Sequence, residues 1–223
     1  MCGRYIIDDS DDIKDIRNIF EKLQKYYSET VEIHHVKRGE IFPNDMAPII
    51  IPEKGERIDV IPMRWGIRQN FTNTGNNSFN NRYNNNNLVI NARSEGIYQK
   101  RMFRDSIENK RCIIPANGFF EWAKLENKKE KYLIQPAYAS MLYFAGVYEK
   151  RPDPKFPGED QIRFVIITTE ARGLIRSLHS RMPVAVERKD MLKWLNGNSG
   201  DVNEFFTDTR TPEYIFTNLS AAG

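Results

Sequence analysis

Short apolar runs broken by prolines, glycines and charged turns dominate this chain. Tyr5-Ile6-Ile7 opens the pattern, and residues 4–7 read as a short strand. Ile13, Ile16, Phe20, Leu23 and Tyr27 then recur at helical spacing and predict an amphipathic helix over 11–27. Ser10 is its candidate cap, with Asp11 and Asp12 in the first turn. Residues 47–52 and 58–63 are apolar runs bounded by prolines, and Glu53-Lys54-Gly55-Glu56 suits a hairpin turn between them. Residues 70–87 are asparagine-rich and show no hydrophobic period, which predicts a flexible surface loop. The strand pattern resumes directly afterwards, so this loop is an insertion and not a domain boundary.

Residues 88–93 form the next predicted strand. Ser94 then caps a helix carrying Ile97, Met102, Phe103 and Ile107. Residues 111–116 read as a buried strand in which Cys112 is a core residue. Asn117-Gly118 turns the chain into Phe119-Phe120-Glu121-Trp122. Further strands are predicted at 132–134, 141–148, 162–169 and 184–186. Helices are predicted at 171–178 and 188–195, while 202–216 shows no regular period. Strands and helices do not alternate one for one, and no repeats occur. The expected fold is one α+β domain over 1–223, with a strongly curved, largely antiparallel, barrel-like sheet flanked by helices.

Composition narrows the function. The 223 residues carry 33 basic and 30 acidic side chains, a formal net charge of +3. That excludes a polybasic nucleic-acid coat but leaves room for a local basic groove. Two cysteines, Cys2 and Cys112, make neither a disulfide framework nor a zinc signature. His34, His35 and His179 lack metal-ligand spacing, and the side chains of adjacent histidines diverge. No apolar run approaches membrane-spanning length, and no basic-then-apolar leader is visible. A cytoplasmic protein without metal or membrane partner is therefore expected.

The candidate chemistry begins at Cys2. Removal of Met1 by an aminopeptidase is expected before so small a residue. It would leave an α-amine and a thiol on adjacent carbons. Such a pair captures one aldehyde twice, first as a Schiff base and then as a thiazolidine ring. Arg4 places a cation near the thiol, which would favour thiolate. Four further polar positions interrupt or end apolar strands: Asn91, Arg93, Glu121 and His179. Glu121, between Phe120 and Trp122, must either find partners or have its pKa raised. An ion pair for Glu121, a structural role for His179 and a strand-edge bond for Asn91 fit each residue alone. Trp65, in Arg64-Trp65-Gly66, fits a core position or a stacking surface for a base.

Met1-Cys2-Gly3-Arg4-Tyr5, Trp65-Gly66, Asn91-Ala92-Arg93-Ser94-Glu95, Gly118-Phe119-Phe120-Glu121-Trp122 and His179-Ser180-Arg181-Met182-Pro183 occur in that order. Together they resemble the SOS response-associated peptidase (SRAP) family, over residues 2 to about 195. The resemblance implies a single α+β domain that binds single-stranded DNA and captures abasic sites covalently. It implies Cys2 as the nucleophile, Asn91 as the residue holding Cys2 and the sugar, and Glu121 with His179 as the acid–base pair. It implies Arg4, Arg93 and Arg181 as phosphate or DNA contacts, Trp65 as a base-facing aromatic, and no cofactor. A monomer is expected. Schiff-base chemistry also allows strand cleavage by β-elimination, and self-removal of Met1 is a further expectation. Phe120 stands where many members have tyrosine. Two other readings stay open: a thiol peptidase using Cys2 and His179, and a non-catalytic single-strand binder.

Overall fold

The computed structural model describes residues 2–8, 13–28, 31–68, 88–125, 128–152, 160–208 and 212–220. The predicted loop at 70–87, the Ser10 cap and the two acids after it lie outside them.

The proline-bounded isoleucine runs form the hairpin that the sequence predicts. Strands β3 (Met46–Glu53) and β4 (Arg57–Trp65) pair antiparallel from Met46↔Arg64 to Glu53↔Arg57. Gly55 in their turn has φ +76°, a left-handed conformation that favours glycine. The β-branched residues of β3 suit a pleated, buried surface, and Ile49 and Ile50 lie in the core. Strands β8 (Arg111–Ala116), β11 (Leu142–Pro152) and β12 (Asp160–Glu170) complete the sheet. Its order runs β11-β8-β3-β4-β12, and β12 pairs back onto β11, which closes a five-stranded barrel. The pairs are antiparallel except where β12 meets β4. Trp65, Phe144, Phe164, Ile49 and Met63 are fully enclosed in the core.

A second, wholly antiparallel sheet lies beside the barrel. Its order is β14 (Tyr214–Asn218), β10 (Lys128–Pro136), β9 (Gly118–Leu125), β1 (Tyr5–Ile7) and β2 (Gly39–Ile41). The chain passes from barrel to second sheet through Asn117 alone, between β8 and β9. A side chain at Gly118 would sit 2.7 Å from the Ile134 carbonyl oxygen, so only glycine permits that bend.

The helices cover the outside. Helix α1 (Lys14–Tyr27) buries Ile16, Phe20 and Leu23 of the stripe its spacing predicts, and Ile19 beside them, while Ile13 and Tyr27 are partly buried. The helix expected from Ser94 is instead a 3₁₀ turn, Ser94–Gly96, followed by α2 (Arg104–Asn109), and Ser94 is no cap. Three further helices are α3 (Ile175–Leu178), α4 (Met191–Asn196) and α5 (Ser199–Thr207). The last lies where no regular element was expected, and so does β14. In place of the strand expected at 184–186, β13 spans Arg181–Pro183, and Ala185 makes a single bridge to Phe144. No helix among the described residues is long and apolar enough to cross a membrane.

Arg111, at the start of β8, is buried and ties two helix ends together. Its guanidinium donates to the carbonyls of Ile107 and Glu108 at the end of α2, and to those of Trp194, Leu195 and Gly197 at the end of α4. These carbonyls lack partners within their helices and sit at negative dipole ends. Arg111→Met therefore leaves five acceptors unsatisfied. We expect a loss of about 3 kcal/mol or more in urea unfolding. Lysine should recover little of it, because it has no planar fork.

Candidate active site

Strand β12 changes partners along its length, and that switch builds the site. Its first half belongs to the barrel. Its second half pairs parallel with β7 (Asn91–Arg93), Ile166 opposite Asn91 and Thr168 opposite Arg93. On its other side it pairs antiparallel with β13, Thr168 opposite Pro183 and Glu170 opposite Arg181. Asn91 and the His179–Arg181 segment thus flank one strand. His179 is the first residue beyond α3, and its amide still donates to Ile175 at 2.9 Å. Helix α3 packs against β9, the strand that carries Glu121.

The amino-terminal segment is held against β9 as well. Tyr5 lies opposite Phe119, Ile6 lies opposite Gly118, and the Phe120 amide donates to the Arg4 carbonyl at 2.9 Å. Continuing that register brings Gly3 opposite Glu121, which leaves Cys2 between Glu121 and Asn91. The Asn91 amide nitrogen donates to the Cys2 carbonyl at 2.9 Å. Asn91, Glu121 and His179 are therefore gathered around Cys2, from β7, β9 and the end of α3. The other Asn91 amide atom, Oδ1, is buried with no hydrogen-bond partner among the described residues, and so is the Tyr5 hydroxyl. A buried polar atom left so costs about 1–3 kcal/mol, a cost that a bound polar group would relieve.

The electrostatics follow from burial. Cys2 is 0% exposed and Glu121 3%. Burial pushes the Cys2 thiol well above its usual value, and the nearby Glu121 carboxylate pushes it further. Its thiol donates to the Arg4 carbonyl at 3.7 Å. Burial likewise raises the Glu121 carboxyl, against the pull of the positive amino terminus. His179 is held below its usual range by burial and by the same positive charge. At neutral pH the site therefore presents a neutral thiol and a neutral imidazole. The Arg181 amide donates to His179 Nδ1 at 2.9 Å. A neutral His179 ring so bonded carries its hydrogen on Nε2.

Four expectations change. Trp65 is 0% exposed, its ring edge-on to Tyr5 at 5.2 Å and stacked on Phe164 at 6.3 Å. Its indole donates to the Ile90 carbonyl at 3.0 Å, so it braces the strand beside Asn91 and offers no face to a base. Arg4 does not serve the thiol. Its guanidinium pairs with Glu40 at 3.0 Å and lies 4.2 Å from the Phe42 ring centroid and 5.0 Å from that of Trp122. The same Glu40 carboxylate takes Lys131 at 2.8 Å, so Arg4 is committed and is no ready phosphate contact. Arg181 is also committed, with both terminal guanidinium nitrogens on Glu95. Arg93 is exposed, on the strand face that carries Asn91, and makes no ion pair among the described residues. Arg4 and Arg181 each make an ion pair, with Glu40 and Glu95. No group of three or more His, Cys, Asp or Glu that could hold a metal occurs among the described residues. A cavity of about 680 Å³, floored by Met141, Tyr143 and Phe205, lies elsewhere and includes none of these side chains.

The fold and site define an α+β barrel in which an amide, a carboxylate and an imidazole converge on the second residue. The chain belongs to the SOS response associated peptidase (SRAP) family, which it matches over residues 1–220. The match continues past about residue 195, where the sequence resemblance was expected to end. The chain is 31% identical over 208 residues to the abasic site processing protein YoqW of Bacillus subtilis, covering 90% of this chain and 83% of that one. It is 23% identical over 197 residues to YedK of Escherichia coli, also an abasic site processing protein, covering 87% and 79% of the two. A crystal structure of a protein from Bacteroides thetaiotaomicron has the same fold, with a TM-score of 0.73 at 23% identity, over 98% of this chain and 93% of that one.

Proposed function

We propose that this chain processes abasic sites in single-stranded DNA by covalent capture through Cys2. The observation that carries this reading is the Asn91–Cys2 hydrogen bond. It fixes the main chain of Cys2 beside Glu121, while Asn91 keeps a buried acceptor for an incoming polar group. The relatives' names, abasic site processing proteins, point the same way.

The chemistry requires Met1 to be absent, because an amide nitrogen is not a nucleophile. With Cys2 first, Glu121 takes a proton from the α-amine. His179 donates a hydrogen bond from Nε2 to the sugar ring oxygen and favours the open aldehyde. The amine attacks C1′, a carbinolamine forms, and one water leaves to give the Schiff base. The Cys2 sulfur then adds to the same carbon. Its proton passes to nitrogen, and the thiazolidine closes. The net reaction loses one water and needs no redox partner. β-Elimination from the Schiff base would cleave the strand as a side path.

A neutral thiol suits this order, in which the amine attacks first. It argues against a thiol peptidase, whose nucleophile is a thiolate. The test is incubation of Met1-free protein with an oligonucleotide bearing one abasic site. A heat-stable, gel-shifted adduct is expected, and its absence would overturn the reading. Arg93→Ala should weaken binding to single strands of every sequence and lower the slope of log affinity against log salt by about 0.7. Its adduct yield at saturating DNA should be unchanged. Titrations at several salt concentrations check both points.

A further inference from the structure

We propose that the cavity floored by Met141, Tyr143 and Phe205 is a docking site for a partner protein, which enters it with a peptide segment carrying lysine or arginine beside a large apolar side chain. The inference goes beyond the proposed function and does not rest on it.

At about 680 Å³ the cavity has the size of a binding site, and its walls come from separate parts of the chain. The connection from β10 to β11 forms one side, the segment after β13 a second, and the end of α5 a third. Met141, Tyr143 and Val186 are buried there, so the base is apolar. The Tyr143 hydroxyl is turned to Asp15, to which it donates at 3.3 Å. Tyr138 stands at the rim and is 86% exposed. A large aromatic left so open at the edge of an apolar cavity is a side chain for a partner to cover. A ligand confined to the cavity would leave most of it in water. That favours a segment of a larger partner over a small molecule.

Charge selects the partner. Five carboxylates line the cavity, Asp15, Asp190 and Glu204 among them, against two cations, Arg188 and Lys193. The chain as a whole is formally +3, so this mouth runs against the sign of the molecule. Both cations are engaged, Arg188 with Asp15 at 2.6 Å and Lys193 with Glu204 at 2.6 Å. Asp190, half-buried, makes no ion pair among the described residues. An arriving phosphate would meet an excess of negative charge over an apolar floor, which argues against a nucleic acid here. An arriving lysine or arginine would lay its carbon stem on Tyr143 and Phe205 and set its charge beside Asp190. None of Cys2, Asn91, Glu121 and His179 lines the cavity, so a partner and a DNA strand can be held at once.

The test uses the full chain and two peptides, acetyl-Gly-Lys-Leu-Trp-Lys-Gly-amide and the same peptide with both lysines replaced by glutamate. Binding is followed at low salt in the amide spectrum of ¹⁵N-labelled protein. The lysine peptide should bind with a Kd of about 1 mM or tighter and shift the amides of Met141, Tyr143, Asp190 and Phe205. The glutamate peptide should bind about tenfold more weakly or worse. Asp190→Lys and Tyr138→Ala should each weaken the lysine peptide by about fivefold or more. Neither position is buried and neither lies at Cys2, so both variants should fold and form adduct as the wild type does. Four results would overturn the proposal. They are no shift at the cavity, equal binding of the two peptides, variants that bind as well as the wild type, and displacement of the peptide by an undamaged oligonucleotide. Phenethylammonium binding as tightly as the peptide would make this a small-molecule site instead. A dimer in sedimentation that covers the cavity would make the occupant a second copy; either result also overturns it. If the wild type forms no adduct, the proposed function fails and the peptide results stand unaffected.

Discussion

Replacing Cys2 by serine should remove all heat-stable adduct on single-stranded abasic DNA and leave a Schiff base that borohydride reduction traps. In the proposed chemistry the two nucleophiles of Cys2 do different work, and serine deletes only one. The α-amine is untouched, so attack on C1′ and loss of water proceed. An oxazolidine from serine would open readily, whereas the thiazolidine holds the product. The effect on stable adduct is therefore complete, and the effect on the trapped intermediate is small. Serine is smaller than cysteine, and at the 0%-exposed position its shorter C–O bond leaves the hydroxyl beyond hydrogen-bond reach of the Arg4 carbonyl, which lies 3.7 Å from the sulfur. Unfolding in urea should accordingly lose about 1–3 kcal/mol, which leaves the variant folded. Gel mobility after heating, with and without prior borohydride, reads both species. Stable adduct from Cys2→Ser would show that sulfur does not close a ring. Loss of the trapped species as well would place the first attack on sulfur.

This division of labour depends on a thiol that stays protonated. Burial determines that, against the expectation that Arg4 would stabilise thiolate. The sequence places Arg4 two residues from Cys2, and proximity along the chain suggested proximity of charge. On an extended segment the side chain of Arg4 leaves on the face where Phe42, Trp122 and Glu40 lie, and only its carbonyl meets the sulfur.

The same alternation made part of the fold legible and another part misleading. Ile61, Met63 and Trp65 share the inward face of β4 while Arg64 points away, so period-two reading alone assigns Trp65 to the core. Its neighbours Arg64 and Gly66 favoured the surface reading. The hairpin and α1 could be read because each is fixed by local pattern. Helix α5 could have been read too: Asn198 and Asp201 form a reciprocal capping box, with Val202 buried behind them. The Arg181–Glu95 pair could not, since its members lie 86 residues apart and meet only because β7 and β13 flank one strand. The three residues around Cys2, namely Asn91, Glu121 and His179, were legible through family motifs. Their convergence follows from the partner switch of β12, which no local period encodes.

Glu121→Gln should lower the rate of adduct formation by about 10²–10⁴, the range of a lost general base, at pH 7 and saturating DNA. The amide keeps the shape and cannot accept a proton from the Cys2 amine. Burial raises the Glu121 carboxyl above its ordinary value, so its base form is lost at a higher pH than for an exposed glutamate. The wild-type rate should therefore fall, as pH decreases, through that raised value. The variant should instead follow the titration of the amine alone. Stability moves the other way. A carboxylate whose folded-state pKa is raised is penalised by folding; the penalty is full above that pKa, shrinks as pH falls from it, and is gone only below the unfolded-state value. Glutamine removes the penalty, so the variant should be at least as stable as the wild type at pH 7 and should gain nothing at pH 4. Rate profiles and thermal unfolding across that range check the two signs together. A variant that is both slower and less stable at pH 7 would mean that Glu121 holds the amino terminus in place structurally and does not serve as its base.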